Sequence, residues 1–361
     1  MNSKLMHGRK KIDRVQTEEE LHALSVKTKL YSDLIGSINK FRLSGIFTEE
    51  SLQLTSKLLK ANPDYYTIWN YRRNILISLW ANIGLQICQD FPISTEAGLR
   101  VRDTELSITS EAIKKNPKSY GAWYHRRWIS ERFTVDHQAE LDLCKSFLSV
   151  DQRNFHCWNY RKFLWKRCHG DIHVEIDYTL EKIQENFSNY SAFHHRSVFI
   201  KNCTILNPTS VIEGELKLLE NAYYTEPDDQ STWWYLQFIL KWIEEIAITE
   251  DTTRTSWAAH VITNQLESLR ALKEIETNCK WAYIAITITI ELLIKLSLRC
   301  GISLPDSGCD SVASLRVERV HLLRSLKLLD STHSRRYDYL LSKYGDEITG
   351  EESVTQTNVT F

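Results

Sequence analysis

The chain has 361 residues, with 45 Lys plus Arg against 46 Asp plus Glu. Such balance excludes bulk electrostatic recruitment to nucleic acid or to an anionic membrane, so any basic patch must be local. Twelve glycines and six prolines against eleven tryptophans and sixteen tyrosines fit an all-α protein with aromatic wedges between helices.

The first eleven residues, Met1 to Lys11, are basic but no apolar stretch follows them, which argues against a secretory signal. Eight scattered cysteines with no CxxC pair read as reduced thiols and a cytoplasmic protein. Residues 1–48 are expected to form a leading segment with one amphipathic helix. Leu21, Leu24, Leu30, Tyr31, Leu34, Ile38 and Phe41 recur at helical spacing, and Thr17 with Glu20 is a capping-box signature.

From residue 49 to 345 one two-helix unit recurs. Its frame runs from an Asn or Asn-Pro turn through a Tyr or Phe and a Trp to an Arg, as in Asn62-Pro63-Asp64-Tyr65-Tyr66 with Trp69 and Arg72, or Asn116-Pro117-Lys118-Ser119-Tyr120 with Trp123 and Arg126. Proline cannot continue a helix and disfavours helix in the residue before it, so each Asn-Pro predicts a turn between two helices. The anchors fall at Trp69, Trp123, Trp158, Phe193 and Trp233, with gaps of 54, 35, 35 and 40 residues. The long first gap predicts an insertion around Leu79 to Arg102. A weaker copy ends at Trp281, and Asp330 to Leu340 opens a possible seventh, capping unit. The apolar run Trp281 to Leu298 contains Glu291 and Lys295, so a buried helix is expected and no transmembrane segment. Residues 346–361 are polar and expected to be disordered.

A self-contained active site is missing from this pattern. There is no phosphate-binding glycine loop, nucleophile elbow or HExxH. The stretch Cys168-His169-Gly170-Asp171-Ile172-His173 has ligand-type residues at a spacing that fits no standard zinc site, so no metal is expected on this chain. The arginine pairs Arg72 with Arg73 and Arg126 with Arg127, together with Arg161 and Arg196, recur in register with Glu105, Glu140, Glu175 and Glu215, which predicts ion pairs between helices. Lys118 breaks the pattern: the other clear units carry Asp64, Arg153, Ser188 and Asp228 at its position. A lysine beside a helix N-terminus opposes the dipole and favours an anion such as diphosphate.

These units resemble the repeats of the protein prenyltransferase α subunits. Met6-His7-Gly8-Arg9, Asn116-Pro117-Lys118-Ser119-Tyr120-Gly121 and Asn154-Phe155-His156-Cys157-Trp158 are most similar to the branch that geranylgeranylates Rab GTPases, in its compact fungal-like form. The resemblance implies an α-α superhelix, a crescent of hairpins around a β subunit that holds the catalytic zinc. It implies geranylgeranyl diphosphate as donor, a Rab GTPase brought by a Rab escort protein as acceptor, and no activity without the β subunit. It matches Lys118 to the lysine facing the diphosphate, and Tyr66, Tyr120 and His156 to substrate-binding groups at the edge of the site. Where the CaaX-reading branches carry a glutamine, this chain has Gly121, which implies that a CaaX box is not what it reads. The alternatives are a shared α subunit of the CaaX enzymes and a non-catalytic TPR-like scaffold.

Overall fold

The structure is a computed structural model that describes residues 17–82, 93–168, 171–201, 207–248, 252–300 and 311–355. His7, residues 83–92 of the expected insertion, His169 and Gly170 lie outside the described residues. Fifteen α-helices and no β-strand are found among them, together with one isolated bridge between Ile93 and Phe133. The chain divides into two compact units, one of Met1–Val150 with Asn154–Leu164 and one of Asp151–Arg153 with Trp165–Phe361.

The first unit opens with the leading helix α1, Glu18–Leu43, capped as expected by Thr17 and Glu20. It ends where Gly45 turns into the left-handed region, at a φ of 65°, so that the Ile46 amide can reach back to the Phe41 carbonyl at 2.9 Å. Hairpins follow: α2, Glu49–Ala61, with α3, Tyr66–Asn82; α4, Glu96–Lys115, with α5, Tyr120–Arg132; and α6, His137–Val150, with the start of α7, Phe155–Cys168. The insertion is shorter than the sequence suggests. Thr95 caps α4, so residues 96–102 already belong to a first helix. Ile93 then bonds across to Arg132 and Thr134 and closes an apolar cluster with Leu76, Trp80, Trp128, Ile129 and Phe133.

In the second unit α8, Ile172–Glu185, pairs with α9, Tyr190–Ile200, and α10, Pro208–Thr225, with α11, Gln230–Ala247. The weak sixth copy is a full hairpin of α12, Thr252–Ile275, and α13, Lys280–Cys300. A seventh pairs α14, Val312–Leu329, with α15, Ser334–Thr355. Helix α13 is long and apolar enough to cross a membrane, but 56% of its apolar window is buried in the protein, with Ile286, Ile290 and Leu293 in the core. Helix α15 continues through residues 346–355, where composition predicted disorder; residues 356–361 lie outside the described residues.

Three of the expected Arg–Glu pairs are seen, each with a third member, while Arg127 instead pairs with Glu131 of its own helix and Arg73 bonds Asn70. Arg72 grips Glu105 through Nε and Nη2 at 2.8 and 2.7 Å, Arg126 grips Glu140 at 2.7 and 2.6 Å, and Arg196 grips Glu215 at 2.8 and 2.7 Å. Each arginine reaches from one repeat to the acid of the next. The acid is also held by its own repeat, two residues past the anchor: Glu105 by His125 at 2.9 Å, Glu140 by Tyr160 at 2.6 Å, Glu175 by His195 at 3.0 Å and Glu215 by Tyr235 at 2.7 Å. A buried carboxylate is tolerable only when its lone pairs are filled, and those of Glu105, Glu140 and Glu215 are filled from both sides.

This network fixes an acid response. Burial pushes His125 down to about 4, against the hydrogen bond and charge of Glu105 that would raise it. Burial alone would raise Glu105, but the Arg72 charge and the His125 hydrogen bond hold it at about 2. His125 is therefore neutral at pH 7 and donates from Nε2. An unfolded histidine titrates near ~6.5, so between that pH and about 4 the unfolded chain binds a proton that the folded chain refuses. Stability must fall as pH falls through this window, by on the order of 2–3 kcal/mol from this group, and Glu105 carries the loss on below about 4.5. Melting temperature against pH tests this. His125→Gln should lower Tm at pH 7 yet flatten the slope between pH 6.5 and 4; parallel curves for variant and wild type would assign the acid response elsewhere.

Candidate functional site

The candidate site lies in the first unit, where three second helices begin side by side. Two Asn-Pro turns are built alike. The Asn62 and Asn116 side-chain oxygens accept the amides of Asp64 and Lys118, each at 3.1 Å, and the anchor indoles of Trp69 and Trp123 donate to the Pro63 and Pro117 carbonyls at 2.7 and 2.8 Å. This last bond explains the fixed six-residue spacing from proline to tryptophan. The same carbonyls also take a donor from the next repeat, Ser119 Oγ on Pro63 and Asn154 Nδ2 on Pro117, both at 2.9 Å. The helix starts are thus locked in mutual register, with their amides and positive dipole ends on one edge.

Tyr66, Tyr120 and Phe155 are the first residues of α3, α5 and α7, and all three are about half exposed. His156 follows Phe155 and is buried. Tyr120 meets the His156 ring edge-on, with centroids 4.2 Å apart, and Phe155 lies 3.9 Å from it on another side. Burial raises the Tyr66 phenol, and the proximity of Tyr120 and of Asp64 adds to this. Lys118 is exposed on the turn before α5. Burial lowers the pKa of His156; a hydrogen bond to the Lys118 backbone opposes this, and the Lys118 charge adds to it. His156 is therefore a neutral imidazole at pH 7. Its Nε2 is buried and without a partner among the described residues.

All four residues singled out in the sequence are thus brought together. Lys118 touches His156 through its backbone, Tyr120 packs on His156, and Tyr66 is the neighbour of Tyr120. Sequence reasoning missed Phe155, although its place in the frame is that of Tyr66 and Tyr120. An ammonium and two phenols at clustered helix N-termini suit an anion with several oxygens, while the neutral His156 gives its one N–H to the Lys118 backbone and can only accept at Nε2. Among the described residues no three His, Cys, Asp or Glu side chains gather to hold a metal. Asp171 instead caps α8, accepting the His173 amide at 2.9 Å.

Gly121 is explained by packing. A Cβ there would come within 2.4 Å of Cδ1 and 2.8 Å of Nε1 of Trp69, a fully buried indole already tied to the Pro63 carbonyl. The glycine lets α5 lie against the anchor of the preceding repeat. Gly121→Ala is expected to destabilise the fold by about 1–3 kcal/mol through overpacking, measurable by denaturant titration. A change below about 0.5 kcal/mol, the usual size for an uncrowded surface position, would show that no such close approach exists.

The family model for the protein prenyltransferase alpha subunit repeat matches residues 48–79, 102–133, 137–168, 172–203 and 212–243. The geranylgeranyl transferase type-2 subunit alpha of Dictyostelium discoideum is 34% identical over 347 residues, covering 94% of this chain and all of that protein. The chain belongs to the protein prenyltransferase α-subunit family. The rat geranylgeranyl transferase type-2 subunit alpha is 36% identical over 251 residues, 65% of this α subunit, and this chain spans only 42% of the length of that relative. A solved structure described as Candida albicans protein geranylgeranyltransferase-I complexed with GGPP shares the fold, with a TM-score of 0.62 over 93% of this α subunit and 94% of that chain, at 22% identity.

Proposed function

We propose that this α subunit pairs with a prenyltransferase β subunit to form a cytoplasmic type-2 geranylgeranyl transferase. The enzyme moves the geranylgeranyl group of geranylgeranyl diphosphate to C-terminal cysteines of Rab GTPases presented by an escort protein. The observation that carries this reading is the Lys118–His156–Tyr120 cluster at the helix N-termini, on a chain whose relatives are named as type-2 α subunits. In the transfer a carbon–sulfur bond forms, a carbon–oxygen bond breaks, and the diphosphate leaves with the bonding electron pair. Its growing negative charge is what an exposed ammonium and oriented amides stabilise. Tyr66 and Tyr120 add phenolic donors, and neutral His156 fills the floor without adding a second buried charge. Zinc belongs to the β subunit in this reading.

Gly121 supports the choice of acceptor, because a glycine packed on Trp69 offers no side chain to read a terminal carboxylate. The test is a transfer assay with three arms. The purified chain alone should transfer nothing. The chain with a type-2 β subunit should prenylate escort-bound Rab much faster than a free CaaX peptide. Transfer by the single chain, or equal rates on the two acceptors, would overturn the assignment.

A further inference from the structure

The scaffold arginines are saturated, and two others in the same unit are not. Arg72 and Arg126 each spend their fork on one buried glutamate and their remaining Nη1 on carbonyls and hydroxyls of the preceding helix. Arg73, next in sequence, has no carboxylate partner among the described residues. Its Nη2 bonds the Asn70 side chain, its guanidinium lies 4.8 Å from the centroid of the Tyr124 ring, and its Nη1 is buried with no acceptor. Arg132, at the end of α5, covers the Trp128 ring at 4.4 Å and gives Nη1 to the Trp128 carbonyl at 3.0 Å. Its one carboxylate partner among the described residues is Glu131, at 3.6 Å, which is also held by Arg127 at 2.9 Å. Its Nε is buried and has no acceptor.

The two cations are neighbours. Burial lowers the pKa of Arg73, Tyr124 opposes this, and the Arg132 charge lowers it further; burial lowers Arg132 too, and the same Tyr124 acts on it. A fold that holds two guanidiniums together, partly desolvated and with unmet N–H groups, does so at a cost unless an anion joins them. The planar forks match a carboxylate. Around them runs an open face of α3 and α5: Tyr66, Asn70 and Ile77 on one helix, Tyr120, Tyr124 and Arg127 on the other, all exposed. Aromatic residues and arginine are what the centres of protein interfaces favour. The face begins at the candidate site, yet Arg132 lies at the far end of α5 from Lys118, about 20 Å along the helix axis, beyond the reach of a diphosphate held there.

We infer that Arg73 and Arg132, flanked by Tyr124, form the seat of a carboxylate side chain presented by the partner subunit. This rests on the heterodimer proposed above. The experiment compares wild type, Arg73→Met, Arg132→Met and Arg73→Lys, each titrated against a type-2 β subunit. Methionine keeps the apolar stem and removes the charge. Each Met variant is expected to weaken assembly by about 30-fold or more, the size seen when one partner of a buried charged pair is truncated, and to reduce its salt sensitivity. Arg73→Lys, with charge but no fork, should recover only part. The isolated Met variants should melt at or above the wild-type temperature, because a like-charge contact has been relieved; a drop in Tm would make these arginines ordinary structural groups and overturn the inference. Unchanged assembly of both Met variants would also overturn it, as would stabilisation of the wild type alone by inorganic phosphate with β binding unaffected, which would make the seat a small-anion site. Failure of the wild type itself to bind the β subunit would instead sink the heterodimer reading, and this inference with it.

Discussion

Lys118→Ala in the assembled heterodimer is expected to slow the single-turnover transfer step by about 10- to 1000-fold while subunit affinity stays as in the wild type. Lys118 joins the frame of the fold through its backbone, with its amide on the Asn116 side chain and a backbone bond to His156; these bonds, and those of Ser119 and the Pro117 carbonyl in the same turn, do not use its ammonium. Removing it should therefore spare folding. What is lost is a cation beside His156 and at the start of α5, where charge on a departing diphosphate would develop, so the effect belongs to turnover and not to substrate affinity alone. Lys118→Arg, which restores a cation, should recover part of the rate. Lys114, exposed in the last turn of α4, is the control, and its alanine variant should transfer at the normal rate. An unchanged rate for Lys118→Ala would return Lys118 to an ordinary solvated surface residue. A loss that tracks dissociation of the subunits would move it to the interface.

Arg126→Met is the substitution expected to cost the fold most, about 3–5 kcal/mol in denaturant-induced unfolding. Its guanidinium makes two bonds to Glu140 and three more to the Leu106 carbonyl, Thr109 and Ser110, at 3.0, 3.0 and 2.9 Å, all inside the first unit. Without it the Glu140 carboxylate stays buried with Tyr160 as its one remaining side-chain partner among the described residues. The penalty is that of an unpaired charge, so it should shrink when the charge is removed as well: Arg126→Met with Glu140→Gln should be clearly more stable than Arg126→Met alone. The exposed pair of Arg100 with Glu96 gives the contrast, since Arg100→Ala should change stability by less than about 1 kcal/mol. A cost for Arg126→Met as small as that of Arg100→Ala would mean that the ladder of acids does not hold the repeats together.

The repeat was legible in the chain alone because its determinants are local. A proline that stops one helix, an asparagine that accepts the amide two residues on, and an indole that returns to the proline carbonyl six residues back all act within one turn of chain, so their spacing recurs as text. The inter-helix Arg–Glu pairing was legible for the same reason, as a period shared by two residue types. Tertiary structure decided what depends on contact between repeats. It showed that the alternating His125, Tyr160, His195 and Tyr235 complete the buried carboxylates, a pattern visible at the second position past each anchor once its partner is known. It gave Gly121 its cause in the Trp69 indole, 52 residues earlier. It also separated Arg72 from Arg73, identical neighbours in sequence, because helical rotation turns one inward to Glu105 and the other toward Tyr124 and Arg132. No local spacing encodes the direction in which a neighbouring repeat lies; that is set by packing, and it makes one arginine part of the scaffold and leaves the other to bind.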